Sequence, residues 1–155
     1  MEMSAKGSRR VTWPNGQVKE TGSFKKGKRS GVWKTWRENG DKRQECRYRE
    51  GKLDGLETFW YADGWKRQTN WKEGKKDGLE IAWHETGQKK EEGRYKDGQQ
   101  DGLWESWHRN GQKRWTHHYA KGEMHGEWIW WNRKGVETGR QVWEHGEVVG
   151  SVLLT

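Results

Sequence analysis

The sequence predicts an all-β chain, an elongated, twisted antiparallel meander of six β-hairpin repeats of about 24 residues, with about twelve strands. Three observations predict it. A glycine recurs at Gly7, Gly31, Gly55, Gly78, Gly102, Gly126 and Gly150, at spacings of 24, 24, 23, 24, 24 and 24 residues. The stretches between turn glycines are about seven residues long, right for strands and short of the ~8–10 a helix needs. Apolar residues make up only 28% of the 155, yet close to half of them are aromatic, with 14 Trp, 4 Tyr and 2 Phe. Because each ring buries on the order of 150–250 Å², they supply a thin core where aliphatic side chains cannot.

The units follow from the glycines. A tail of 1–6 precedes repeats at 7–30, 31–54, 55–77, 78–101, 102–125 and 126–149, and 150–155 reads as a partial strand or cap. Each unit approximates G-x-W-x-x-W-x-x-N-G-Q-K-K-x-x-x-x-Y-x-x-G-K-x-D. Hairpin chemistry marks both ends: Asn15-Gly16, Asn39-Gly40, Asp63-Gly64 and Asn110-Gly111 at one, Asp54-Gly55, Asp77-Gly78 and Asp101-Gly102 at the other. The third unit is one residue short between Gly64 and Trp71, which flips its side chains unless a bulge absorbs the change.

Strand parity assigns faces. The fifth slot after the unit glycine holds Trp36, Trp60, Trp83, Trp107 and Trp131, and the first holds Val32, Leu56, Leu79 and Leu103; these share one surface. The return-strand series from Phe24 through Tyr48, Trp71, Tyr95 and Tyr119 to Trp143 is expected to join them in one ladder. Rings off this pattern are the candidates for binding a protein partner. They are Trp65 and Trp115, in slots that are polar elsewhere, and Trp33, Trp104 and Trp128 in the second slot, expected on the opposite face. Burial against a neighbouring chain is the alternative for that set.

At this point the chain resembles a known family, the variant form of the MORN repeat. The resemblance rests on G-V-W-K-T-W-R-E-N-G at 31–40, G-L-E-I-A-W-H-E-T-G-Q-K-K-E-E-G-R-Y-K-D-G at 78–98 and G-L-W-E-S-W-H-R-N-G-Q-K-R at 102–114, and spans about 7–149. It implies a hairpin meander that serves as a scaffold or interaction surface, with lipid binding proposed for some members. The bacterial variant is similar to proteins grouped with toxin–antitoxin and immunity loci, which implies an antitoxin, immunity or accessory subunit of a bacterial complex.

The chain carries 31 Lys and Arg against 23 Asp and Glu, a net charge of +8. Residues 1–78 hold 20 basic and 11 acidic groups; 79–155 hold 11 and 12. Paired cations stand at a fixed register as Lys42-Arg43, Lys66-Arg67, Lys89-Lys90 and Lys113-Arg114, predicting a basic stripe along one edge. That stripe supports the rival function, binding a polyanion such as nucleic acid or an anionic membrane surface. A solvated face that deters edge-to-edge aggregation explains the same cations.

Other classes are argued against. No phosphate-loop or dinucleotide-binding glycine motif is present, so no cofactor is expected. His84 and His108 repeat one slot ~10 Å apart with a strand between, too far for shared ligation, and His117 and His118 point to opposite faces, so no metal is expected. Serines recur beside no His and carboxylate motif, and Cys46 is the single cysteine, so no catalytic residue and no enzyme is expected. The lone cysteine excludes an internal disulfide, and MEMSAKGSRR has no apolar leader, so a cytoplasmic location is expected. An apolar terminal strand at Val152-Leu153-Leu154 invites a homodimer or an internal cap.

Overall fold

The computed structural model describes residues 7–154; the predicted tail at 1–6 lies outside them. They form one open antiparallel sheet in which the main strands neighbour each other in chain order, from β1 (Gly7–Thr12) through β2 (Val18–Lys25), β3 (Lys28–Trp36) and β4 (Lys42–Arg49). Next come β5 (Lys52–Leu53), β6 (Gly55–Trp60), β7 (Lys66–Lys72), β8 (Lys75–Trp83), β9 (Lys89–Lys96) and β10 (Gln99–Trp107). The sheet ends with β11 (Lys113–Ala120), β12 (Glu123–Met124), β13 (Gly126–Trp131), β14 (Glu137–Glu144) and β15 (Glu147–Leu153). The twelve expected strands become fifteen because β15 is added and two forward strands are interrupted, at Asp54 and His125. Among the described residues no helix is long and apolar enough to cross a membrane.

The two ends of the hairpins differ in turn chemistry. At the Asn-Gly end the glycine alone has positive φ, as at Gly16 (84°), and its N–H donates to the carbonyl three residues back, Gly16 to Trp13 at 2.9 Å. The asparagine carbonyl oxygen accepts from the backbone two residues on, Gln17 N–H to Asn15 Oδ1 at 3.0 Å and Asp41 N–H to Asn39 Oδ1 at 3.0 Å. The same type I turn with a left-handed glycine closes the third tip, where Gly64 N–H donates to the Tyr61 carbonyl at 3.2 Å. A separate bulge inside the return strand shifts the register at Val11/Thr12, Thr35/Trp36, Ala82/Trp83, Ser106/Trp107 and Trp130/Trp131. The third hairpin pairs without a shift, from Gly55 opposite Trp71 to Trp60 opposite Lys66. Its missing residue is the bulge residue, so the deletion preserves the facing of the strand.

The Asp-Gly pairs do not close the other end. The turn glycine comes four residues earlier, at Lys26-Gly27, Glu50-Gly51, Glu73-Gly74, Asp97-Gly98, Lys121-Gly122 and His145-Gly146, where both residues have positive φ, the type I′ combination. The Asp-Gly glycines lie within the forward strands; Gly78 (φ 104°) and Gly102 (φ 76°) sit where β8 and β10 slip against their preceding strands. Each aspartate reaches the following turn instead. Asp54 accepts from Glu73 N–H (3.3 Å), Asp77 from Asp97 N–H (3.2 Å) and Asp101 from Lys121 N–H (3.4 Å).

Pairing corrects the expected ladder. Gly31 faces Tyr48 and Trp33 faces Cys46, so Trp33 shares a surface with the return-strand rings, while Trp36, three residues on, belongs to the other. The core is therefore built by the second-slot indoles: Trp33, Trp104 and Trp128 are 2%, 1% and 7% exposed. Phe24 and Tyr48 meet Trp33 edge-on at 5.2 and 6.0 Å, and Tyr95 and Tyr119 meet Trp104 at 5.1 and 6.4 Å. The fifth-slot tryptophans are half-buried on the outer face, where Lys42 lies over Trp60 (5.1 Å), Lys66 over Trp83 (4.8 Å), Lys89 over Trp107 (5.4 Å) and Lys113 over Trp131 (5.9 Å).

Trp33 and Trp104 lie on the backbone of the preceding return strand, and Trp128 lies on the His117 ring. A Cβ added at Gly22 would stand 2.2 Å from the Trp33 ring, and one at Gly93 would stand 2.1 Å from Trp104. The indole N–H then donates to a backbone carbonyl: Trp33 to Ser23 (3.2 Å), Trp104 to Arg94 (3.1 Å) and Trp128 to His118 (3.1 Å). At the Asn-Gly tips a second row of side chains ties consecutive units, Trp13 to the Trp36 carbonyl (3.2 Å), His84 to that of Trp107 (3.1 Å) and His108 to that of Trp131 (2.9 Å). A carbonyl only accepts, so both imidazoles carry hydrogen on Nε2.

Gly93→Ala is expected to lower stability by about 1–3 kcal/mol, because the methyl must displace the Trp104 ring. Gly7→Ala, where an added Cβ meets nothing within 4 Å, is expected to change little. Thermal denaturation of the two variants beside the parent chain checks both; equal midpoints for all three would contradict the stacking account.

Candidate protein-binding face

The core row is interrupted at its centre. Two residues after the unit glycine stand Trp33, Trp104 and Trp128, but in the third and fourth units Glu57 and Glu80 take that slot. The residue beneath changes in step: Cys46 lies before Glu57 and Thr69 before Glu80, where Gly22 and Gly93 lie under indoles. Glu80 is buried yet satisfied, accepting from the Thr69 hydroxyl (2.7 Å) and the Lys76 ammonium (2.8 Å). Glu57 accepts from the Trp71 indole N–H (2.8 Å) and from the Gln44 amide.

A carboxylate fills less space than an indole, and a notch of about 70 Å³ results. Trp65 and Trp104 wall it, Ala82 and Glu80 form part of its lining, and Arg67, Lys90 and Glu91 complete it. Burial, and then the charge of Glu80, push the Glu91 carboxyl above its ordinary value. Trp65 lies flat on Tyr61 at 3.5 Å with 7° between planes, and the Lys90 ammonium sits 3.8 Å from its ring centre. Trp115 begins a second stack, with the His117 ring 4.1 Å away and His117 in turn 3.7 Å from Trp128. Burial between these indoles pushes the His117 imidazole down to about 4. The Cys46 thiol, buried beside Trp33, is pushed up to about 11, chiefly by desolvation and then by Glu57, which makes it an inert packing group.

The predicted binding rings thus separate into two groups. Trp33, Trp104 and Trp128 lie in the core, the reverse of the expected exposure, because the bulged register puts the second slot on the buried side. Trp65 and Trp115 are half-buried on that same side. The predicted single basic edge also divides. Lys42 pairs with Glu45 (3.0 Å), Lys89 with Glu92, and Lys113 with Glu105 (2.7 Å), while these lysines and Lys66 cover outer-face tryptophans. Arg43 lies near Phe59 (5.8 Å), Arg67 near Tyr61 (5.8 Å) and Lys90 on Trp65, which are core-side rings; Arg114 reaches the hairpin tips. Sequence reading passed over Glu57 and Glu80, although the loss of tryptophan from two consecutive second slots was the available signal.

Compared with known proteins, residues 76–97 match a family model described as MORN repeat variant. No curated protein matches the chain. A repeat of this kind suggests a scaffold, commonly in binding roles.

His117 predicts an acid sensitivity. Its folded value lies below the unfolded one of about 6.5, so the unfolded chain takes up the proton first. Its contribution is complete above about pH 6.5 and is lost as the pH falls toward 4. Discounted for partial exposure, the loss is on the order of 1 kcal/mol, or about 2–4 °C in Tm. His117→Gln is expected to remove this component, seen as a smaller Tm difference between pH 7.5 and 4.5 than the parent shows.

Proposed function

We propose that the chain is a non-catalytic repeat scaffold that binds a protein partner through the core-side face around Trp65 and Trp115. The observation that carries this reading is the notch in the indole row, flanked by Trp65 and bordered by charges of both signs. Half-buried rings beside a small cleft are the arrangement that anchors interfaces, and a sheet locked by inter-unit hydrogen bonds loses little freedom on binding. A space of about 70 Å³ admits part of a side chain, not a substrate with its reacting partners. The resemblance supports a narrower version, an antitoxin, immunity or accessory subunit of a bacterial complex. Self-association through β15, whose Val148, Val149, Val152 and Leu153 are exposed, belongs to the same reading.

The alternative, polyanion binding through Lys42, Arg43, Lys66, Arg67, Lys89, Lys90, Lys113 and Arg114, draws support from the excess of cations in the first half. Ion pairing of Lys42, Lys89 and Lys113 weighs against it.

A pull-down from the native host, followed by mass spectrometry, supplies a partner for both readings. Trp65→Ala with Trp115→Ala is expected to weaken its binding at least tenfold while the sheet spectrum persists, and binding should survive a change from 50 to 200 mM salt. Loss of binding at the higher salt, or on changing Lys42, Lys66, Lys89 and Lys113 to Gln with both indoles intact, supports the polyanion reading instead.

A further inference from the structure

We propose that the hairpin tips of the fourth to sixth units form a site for a phosphate-class dianion, held by Arg109, Arg114 and Arg133. The three side chains line one open cleft of about 520 Å³, together with His84, His108 and Asn110. That volume lies within the ~300–1,000 Å³ usual for small-ligand sites.

The cleft arises from a local reversal of charge. The second residue of the tip is Glu38 in the second unit and Glu85 in the fourth, but Arg109 and Arg133 in the fifth and sixth. Bulk composition does not explain it, since residues 79–155 carry 11 basic and 12 acidic groups. Successive units bring the two arginines side by side along the tips, and Arg114 joins them from the start of β11.

The surroundings are held in place. The Asn110 amide donates to the Arg133 carbonyl at 2.7 Å, so neighbouring tips are tied directly. His84 and His108 are pinned by their Nε2 hydrogens to the carbonyls of Trp107 and Trp131. Arg109 has an acidic partner, Glu85 at 3.2 Å, but that pair is exposed and contributes little. Among the described residues Arg114 and Arg133 form no salt bridge, although the Arg114 charge also acts on the Glu91 carboxyl.

Three planar forks, two from neighbouring tips and one from β11, favour a tetrahedral dianion over a carboxylate. Each guanidinium offers paired N–H donors matched to two phosphate oxygens, whereas a carboxylate has two oxygens and one charge to share among all three. The ligand class is accordingly inorganic phosphate or a soluble phosphate monoester. This site shares no lining residue with the notch at Trp65, although the Arg114 charge reaches Glu91 there, and it does not depend on the partner proposed for the notch.

The test is an NMR titration of the full chain, following the Arg Nε–H and Asn110 amide signals. Sodium phosphate, phosphoserine and acetate are compared at an ionic strength held constant with sodium chloride. Saturable shifts centred on Arg109, Arg114 and Arg133 are expected, with phosphate and phosphoserine at least tenfold tighter than acetate. Saturation by inorganic phosphate alone identifies the free ion as the ligand; tighter binding of phosphoserine identifies the ester. Arg114→Gln with Arg133→Gln should weaken binding at least tenfold, and since both side chains are exposed the backbone spectrum serves as the check on folding. Arg133→Gln alone serves if the pair does not fold. Shifts no larger than chloride produces, equal affinity for acetate, or saturation unchanged in either variant would overturn the proposal.

Discussion

The structure depends on an indole laid against bare backbone. A single sheet has no second layer to cover its face, so apolar area leaves water only where a side chain lies along the sheet itself. Trp33 and Trp104 do this over Gly22 and Gly93, where the absence of Cβ lets the ring settle and its N–H reach a backbone carbonyl. At ~25 cal/mol per Å², burying a ring of 150–250 Å² contributes roughly 4–6 kcal/mol as an upper bound. Among the described residues the other buried apolar groups are Trp128, Cys46 and Ala82, so nearly all of the hydrophobic stabilisation on this face comes from rings.

The interaction couples positions eleven residues apart, and five such positions use four kinds of pair. Gly22 lies under Trp33 and Gly93 under Trp104; His117 stacks on Trp128 at 3.7 Å; Thr69 hydrogen-bonds Glu80; Cys46 precedes Glu57 in the same arrangement. A large upper member requires a small or flat lower one, and a polar upper member requires a donor. The two carboxylates are thus consistent with the fold and do not disrupt it. What they remove is volume, which opens the face at its centre while Trp33 keeps one end closed and Trp104 and Trp128 the other.

Much of the fold was legible because turns are written in local chemistry. Glycine spacing, Asn-Gly pairs and strand-length segments define hairpins without reference to the rest of the chain. Facing was not legible, since it must be counted across a turn, and a bulge adds a residue that no local motif announces. The ladder was accordingly assigned to Trp36 and its equivalents, when pairing of Gly31 with Tyr48 puts the return-strand rings beside Trp33. The same counting made Asp54-Gly55 a turn, although Asp54 serves the next turn from the break between β5 and β6. At the candidate face, Trp65 and Trp115 were visible as departures from a repeat, but the notch required knowing that the second slot is the core slot.

The two faces put their aromatic surface to different use. On the outer side Lys42, Lys66, Lys89 and Lys113 extend over the fifth-slot tryptophans, so their alkyl stems shed water from the rings while the ammonium groups stay hydrated. Glu45, Glu92 and Glu105 answer three of those charges and leave a surface that is mixed in sign and has little to gain from contact. On the inner side Lys76 answers Glu80, and Glu91 is driven up by burial and by Glu80 against the opposing charges of Lys90, Arg67 and Arg114. Apolar walls, a carboxyl raised by burial and unfilled volume coincide at this notch. The outer face has no such opening in its aromatic surface, because its lysines lie over the rings.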